Sequence, residues 1–238
     1  MMGAPMSHAI AVLSGGMDST VLAYQSVGLF ERVDLVSVDY GQRHRTELRH
    51  AAATAQRLGC RHDIVELPIA SYLDGSALTD DTIEVPHGHY AAETMAATVV
   101  PNRNAMLISV AYGIAVARAA DAVLVGVHAG DHHVYPDCRP EFIDALDRAL
   151  RIGNEGVGEV DLEAPFVRRS KTDICRLGGQ LAVAWEETWS CYEGGEIHCG
   201  RCGTCVERRE AFRDAGVVDP TTYADPDYAL QVLEGHAN

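Results

Sequence analysis

Three short stretches of this chain combine residue types that can do chemistry with spacings that let them act together. The first is Ser14-Gly15-Gly16-Met17-Asp18-Ser19-Thr20. Paired glycines let the backbone turn sharply and bring N–H groups close to an anion. A helix starting there adds its unsatisfied amides and positive dipole end. Ser14, Ser19 and Thr20 add hydroxyl donors. No Gly-Lys-Ser/Thr follows, so the loop is not of the Walker type. A plain Gly-rich turn with Asp18 or Ser19 capping the helix is the competing reading. The complete Ser-Gly-Gly-x-Asp-Ser string favours a nucleotide loop. The second stretch is Cys191-x7-Cys199-x2-Cys202-x2-Cys205, in which Gly194, Gly195, Gly200 and Gly203 allow the turns that bring four thiolates to one ion. Four sulfur ligands leave no open position, which makes the metal structural rather than catalytic. His198 lies beside them, but four cysteines already complete a tetrahedron. Iron–sulfur proteins use similar spacing, so the identity of the metal stays open on spacing alone. The third is Lys171-Thr172-Asp173-Ile174. Lys171 is the single lysine among 19 Lys plus Arg, which hints at a role that arginine does not fill.

Further polar clusters sit where strands end. Tyr40-Gly41-Gln42-Arg43-His44-Arg45 places three cationic or potentially cationic residues at the start of a helix. There they oppose the dipole, so function rather than helix stability explains them. Val100-Pro101-Asn102-Arg103-Asn104 offers Asn102 or Asn104 as a helix cap, with Arg103 able to grip a phosphate or carboxylate through two bonds. Gly126 to Glu141 carries Asp131, His132, His133, Tyr135, Asp137 and Arg139. A catalytic metal would need a more regular ligand spacing. A purine pocket suits these residues better. Acidic groups accept from an exocyclic amine and a ring N–H, and Tyr135 or a histidine can stack.

The elements that must position these groups alternate. Strands are expected at Ala9–Leu13, Val33–Val38, Arg61–Leu67 and Ala122–Val127. Helices are expected at Ser19–Leu29, Thr46–Leu58, Asn104–Ala119 and Pro140–Arg151. Such alternation predicts an α/β fold, a parallel sheet with helices on both faces. Ligands on such sheets bind at the carboxyl ends of strands, where strand order reverses. Asp74 to Val100 is irregular and long enough to be a lid or mobile segment. After Ala182 the pattern gives way to a Gly/Cys-rich segment and a short helix near Cys205 to Ala215. The division is therefore a nucleotide-binding part over residues 8–182 and a metal-binding annex over 183–238, packed as one unit.

The chain has 238 residues, 47% of them hydrophobic, and a formal net charge of −15. That charge argues against broad binding to nucleic acid or anionic membrane, though a local basic pocket is compatible with it. No apolar run reaches the roughly 20 residues that span a bilayer, and Met1 to Ser7 lacks the features of a signal peptide. A cytoplasmic location is expected, with reduced thiols. Cys60, Cys138 and Cys175 are expected as small buried residues.

Taken in order, the Ser14–Thr20 loop, Tyr40–Arg45, Val100–Asn104, Gly126–Glu141, Lys171–Ile174 and the cysteine cluster resemble the 7-cyano-7-deazaguanine synthase family of queuosine biosynthesis. The first loop also resembles that of the wider ATP pyrophosphatase superfamily. The resemblance runs from about Ala9 to Phe212 and is weakest over Ala70 to Val99. It implies a Rossmann-like, adenine-nucleotide-hydrolase-type fold, a homodimer, Mg²⁺-dependent use of ATP, one structural Zn²⁺, and a small deazapurine substrate with ammonia. It makes Leu13, Ser14, Gly15, Gly16, Met17, Asp18, Ser19, Thr20, Val21, Leu22 and Ala23 the ATP segment. Asp18, Ser19, Arg103 and Lys171 become the catalytic candidates. Tyr40, Gln42, Arg43, Asp131, Tyr135, Asp137 and Arg139 become the substrate pocket, and Cys191, Cys199, Cys202 and Cys205 the zinc ligands. Another pyrophosphatase-loop enzyme, such as a tRNA thiolase or a deazaguanine-to-amine ligase, is the first alternative. A non-catalytic zinc or nucleotide-binding module is the second.

Overall fold

The computed structural model describes residues 7–43 and 45–235. His44 and the first six residues, singled out in the sequence, lie outside the described residues. The elements in chain order are β1 (His8–Val12), α1 (Met17–Ser26), β2 (Arg32–Asp39), α2 (Thr46–Leu58), β3 (Arg61–Glu66), α3 (Ala92–Met95), α4 (Arg103–Ala117), β4 (Ala122–Leu124), α5 (Pro140–Gly153), β5 (Asp161–Glu163), α6 (Lys171–Gln180), α7 (Gly203–Ala215) and α8 (Tyr228–Leu233). The five strands form one sheet in the order β3-β2-β1-β4-β5. Every pair is parallel.

Strand β1 shows why helices must cover both faces. Its side chains alternate, as the two-residue repeat of a strand requires. Ala9, Ala11 and Leu13 enter one core, with α1, α2, α6 and α7 contributing Val21, Ala51, Ile174 and Phe212. Ile10 enters the opposite core, where Ile108, Ala111 and Tyr112 of α4 and Ile143 of α5 close over the sheet. Chain order reverses beside β1, which has β2 on one side and β4 on the other. The crevice at its carboxyl end is therefore where this architecture places a ligand.

Several boundaries differ from the sequence expectation. Helix α1 begins at Met17 with Gly16 as N-cap, so Asp18 and Ser19 lie inside its first turn and do not cap it. It ends at Ser26 rather than Leu29. Strand β4 stops at Leu124 rather than Val127. Beyond it Gly126 packs so closely on α1 that a Cβ would lie 3.2 Å from the Ser19 amide nitrogen. Strand β5 is short and polar, Asp-Leu-Glu, and carries no alternation long enough to read. Asp74–Val100 folds against the cysteine-rich segment. His87 bridges Cys202, the Gly88 amide donates to the Arg201 carbonyl, and Ala77 and Val85 share a small core with Trp189 and the cysteines. Among the described residues no helix is long and apolar enough to cross a membrane.

Candidate active site

At the carboxyl end of β1 the chain turns through Gly15, whose φ of +86° is left-handed. A Cβ there would overlap the Glu47 carbonyl oxygen, so two constraints select glycine. The turn is held internally. Ser19 Oγ accepts from the Ser14 amide at 3.1 Å and meets Ser14 Oγ at 2.9 Å. The Trp189 amide donates to the Gly15 carbonyl at 2.8 Å, pinning the cysteine-rich segment onto the loop. Gly16, the N-cap, has no side chain to cap the helix, so the first amides of α1 remain available to an anion.

The loop opens on a cavity of about 240 Å³. Ser14, Gly16, Met17, Asp18 and Ser19 form one wall, with Arg103 and Asn104 from the start of α4, Lys171 from the start of α6, and Thr204 and Glu207 from the start of α7. Four helix N-termini thus meet at one void, a favourable field for anions.

A charged cluster lies beside the loop. Lys171 Nζ donates to Asp18 Oδ2 at 2.7 Å and lies 3.4 Å from Glu207 Oε2. Burial alone would lower the Lys171 ammonium, but Asp18, Glu207 and Asp131 carry it well above its ordinary value. Burial would likewise raise Asp18, yet Lys171 and then His128 hold that carboxyl below its ordinary value. Burial pushes the Glu207 carboxyl up, against Lys171 and His128. His128 is 1% exposed. Its Nδ1 accepts from the Gly130 amide at 3.1 Å, which places its proton on Nε2, 3.3 Å from Asp131 Oδ2. Among the described residues Asp18 Oδ1 is buried without a hydrogen-bond partner, an acceptor suited to a cation or a phosphate-bound donor.

On the other side of the cavity, burial raises the Glu47 carboxyl to about 7, against the Arg103 guanidinium and a hydrogen bond from Gln42. Gln42 Nε2 donates to Glu47 Oε1 at 3.1 Å, while Gln42 Oε1 accepts from the Tyr40 amide. Arg103 faces Tyr40 and lies over the Tyr135 ring, 5.5 Å from its centre. Burial keeps Tyr40, Tyr90 and Tyr192 protonated, their hydroxyls pushed up.

The sequence candidates divide by placement. Tyr40, Gln42, Asp131 and Tyr135 line the cavity with Asp18, Ser19, Arg103 and Lys171. Arg43, Asp137 and Arg139 do not. Arg43 pairs with Asp81 at 3.1 Å and donates to the Ile83 carbonyl. Arg139 donates to the His132 carbonyl at 2.8 Å. Asp137 accepts from the amide and side chain of Asn104, capping α4 from outside because Asn102 supplies no cap. Leu13, Val21, Leu22 and Ala23 belong to the core. Gly15 shapes the loop from behind and Thr20 is 1% exposed, so neither meets the void. A helix buries about half its circumference, and a continuous segment cannot show every residue to a ligand. Glu47, Tyr90, Trp189, Tyr192 and Glu207 line the cavity without having been singled out. Each is contributed by a segment whose own motif signals something else, and only Glu207, two residues after Cys205, had a local cue.

The four cysteine sulfurs lie within 4.8 Å of one another, matching the roughly 3.8 Å sulfur separations of a tetrahedral thiolate site. Backbone amides of Arg201 and Cys202 donate to Cys199 Sγ, and that of Cys199 to Cys191 Sγ, which stabilises thiolates. The donor set fits a structural metal. His198 is turned to another task, its Nε2 accepting from the Ser190 amide at 3.1 Å. Cys191 also touches the cavity.

A family model described as queuosine biosynthesis protein QueC matches residues 8–216. The chain is 56% identical over 227 residues to 7-cyano-7-deazaguanine synthase of Rhizobium rhizogenes, covering 95% of this chain and 96% of that one. It is 52% identical to 7-cyano-7-deazaguanine synthase of Ruegeria pomeroyi, covering 95% and 98%. Among solved structures, NMN synthetase from Francisella tularensis overlaps with a TM-score of 0.49 at 15% identity, covering 98% of this chain and 84% of that one. The overlap is too loose to bear on function.

Proposed function

The chain belongs to the queuosine biosynthesis protein QueC family, and from that premise we propose that it is an ATP-dependent 7-cyano-7-deazaguanine synthase. It joins 7-carboxy-7-deazaguanine to ammonia and carries the product to the nitrile. Near-full-length relatedness to synthases carries this reading, and the cavity accounts for it chemically. A carboxylate resists substitution because its departing group would be oxide. Attack of the acid oxygen on the α-phosphorus of ATP expels pyrophosphate and gives an acyl adenylate, ammonia displaces AMP to give the amide, and a second ATP activates the amide oxygen in the same way before AMP departs again. Both activations ask one thing of the protein, stabilisation of charge developing on phosphate.

In this reading the amides after Gly16 and the hydroxyls of Ser14 and Ser19 receive the pyrophosphate portion of ATP. Lys171 and Arg103 supply the fixed positive charge. Asp18, with its unpartnered Oδ1, would hold Mg²⁺, which neutralises phosphate oxygens when bound. Asp131, Tyr135, Gln42 and Tyr40 offer the acceptors and stacking faces that a polar heterocycle needs. Zinc is the metal we assign to the four cysteines. Residues 183–238 act as an annex of the nucleotide-binding part rather than a separate unit. A homodimer in the cytoplasm, without nucleic acid as partner, completes the reading. The test is incubation with ATP, Mg²⁺, ammonium and 7-carboxy-7-deazaguanine. Mass spectrometry should find the nitrile, with two AMP formed per product. AMP release without nitrile, or none at all, would overturn it.

A further inference from the structure

We propose that Glu47 is a catalytic proton acceptor in this cavity, taking the protons that the nitrogen-bearing steps release. This rests on the synthase reading, whose proton count is uneven. Forming the acyl adenylate from a carboxylate and ATP releases pyrophosphate and no proton. Attack by ammonia on the acyl carbon breaks the bond to AMP and releases one proton from nitrogen. Activation of the amide oxygen by a second ATP expels pyrophosphate and releases a second proton. Expulsion of AMP to form the carbon–nitrogen triple bond releases a third. A base is therefore needed in every step but the first.

Most ionisable groups around the cavity are unsuited to that task. Lys171 and Arg103 are held charged. Tyr40 and Tyr90 are held protonated. Asp18 is held as a weak base by Lys171. His128 has Nδ1 engaged by the Gly130 amide and Nε2 turned to Asp131. Glu207 is engaged by the Lys171 ammonium at 3.4 Å. Glu47 differs. It lines the void, and Gln42 is the single hydrogen-bond partner of its carboxyl among the described residues. Its backbone packs against Gly15 of the nucleotide loop. The charged and titratable groups facing it are Arg103 from α4 and Asp39 from the end of β2, with Tyr40 beside Arg103. Their balance, with burial, leaves a carboxyl titrating at about 7, where a general base is most effective.

The test separates steps by their proton count. In E47Q, pyrophosphate–ATP exchange dependent on 7-carboxy-7-deazaguanine should stay within about threefold of wild type. Amide and nitrile formation should fall by about 10²- to 10⁴-fold. Equal loss of exchange and nitrogen transfer would overturn the proposal, as would unchanged nitrogen transfer. With free ammonia held constant, wild-type nitrogen transfer should rise with pH through about 7, whereas exchange should not. E47D, which keeps a carboxylate, should retain that rise, so the pH profile decides the matter even if E47Q does not fold. A flat wild-type profile would also overturn it. Absence of acid-dependent exchange in the wild type would instead defeat the synthase reading.

Discussion

At the scale of single residues, Lys171 concentrates the consequences of burial. Its ammonium lies between Asp18 and Glu207, and its side chain is 16% exposed. Lys171→Ala should lower AMP formation by roughly 10²- to 10³-fold, as measured at saturating ATP. Lys171→Arg should fail to restore it, because a planar fork does not reproduce a compact ammonium among close carboxylates. The pair also sets a pH dependence of stability. Asp18 is held below its ordinary value of 3.8, so its contribution is complete above that value and lost as pH falls through the lower folded-state value. Lys171 is raised, so its contribution is complete below its ordinary value of 10.5 and lost only as pH rises through the still higher folded-state value. The acid side is reached first. Thermal unfolding of D18N should therefore depend less steeply on pH below 3.8 than that of the wild type. An identical slope would show that the ion pair does not stabilise the fold.

At the scale of elements, helix contacts decide where the site residues stand. Helix α6 brings Lys171 to the cavity from a capping box, in which Ser170 and Asp173 satisfy each other's amides. The same helix packs on α1 through Gly178, where a Cβ would overlap the Trp185 ring and lie 2.8 Å from Val21. Gly178→Ala exchanges a small gain in helix propensity for overpacking that costs about 1–3 kcal/mol. Each kcal/mol should lower Tm by roughly 2–4 °C in a chain of this size. A Tm at or above that of wild type would show that Trp185 moves aside freely. Because α6 carries Lys171, ATP affinity should fall as well.

For the whole molecule, the cysteine-rich segment is a wall of the cavity. It pins Gly15 through the Trp189 amide and lends Trp189, Ser190, Cys191, Tyr192 and Thr204 to the cavity. Arg208, 1% exposed, braces it from within by donating to Thr221, Ser190 and the Trp185 carbonyl. If the four cysteines hold a metal, stripping it with a chelator should therefore lower Tm and weaken ATP binding together, read by calorimetry and nucleotide titration alongside metal content. Retention of ATP affinity in metal-free, folded protein would show that the wall holds without metal at the four cysteines. At this scale a net charge of −15 coexists with a cavity at which four helix starts and two buried cations meet. Global charge did not forecast local field.

Local covalent pattern determined what was legible from sequence. Alternating apolar runs give a strand or helix its type, so the parallel sheet, its two helical layers and the Ser-Gly-Gly-x-Asp-Ser turn follow from short-range chemistry. The same holds for Cys199, Cys202 and Cys205, whose spacing alone brings sulfurs together. The tertiary structure decided which side chains of those segments face the void. Val21 to Ala23 follow the Ser14–Ser19 turn without a break yet point into the core, because a helix on a sheet must bury one face. Arg43 and Arg139 found partners elsewhere. Glu47, Tyr90 and Glu207 gained their place only when α2, the Asp74–Val100 excursion and α7 packed around one point. Burial and pairing between residues far apart in sequence arise from that packing, and they are what shift a carboxyl from solvated surface group to base.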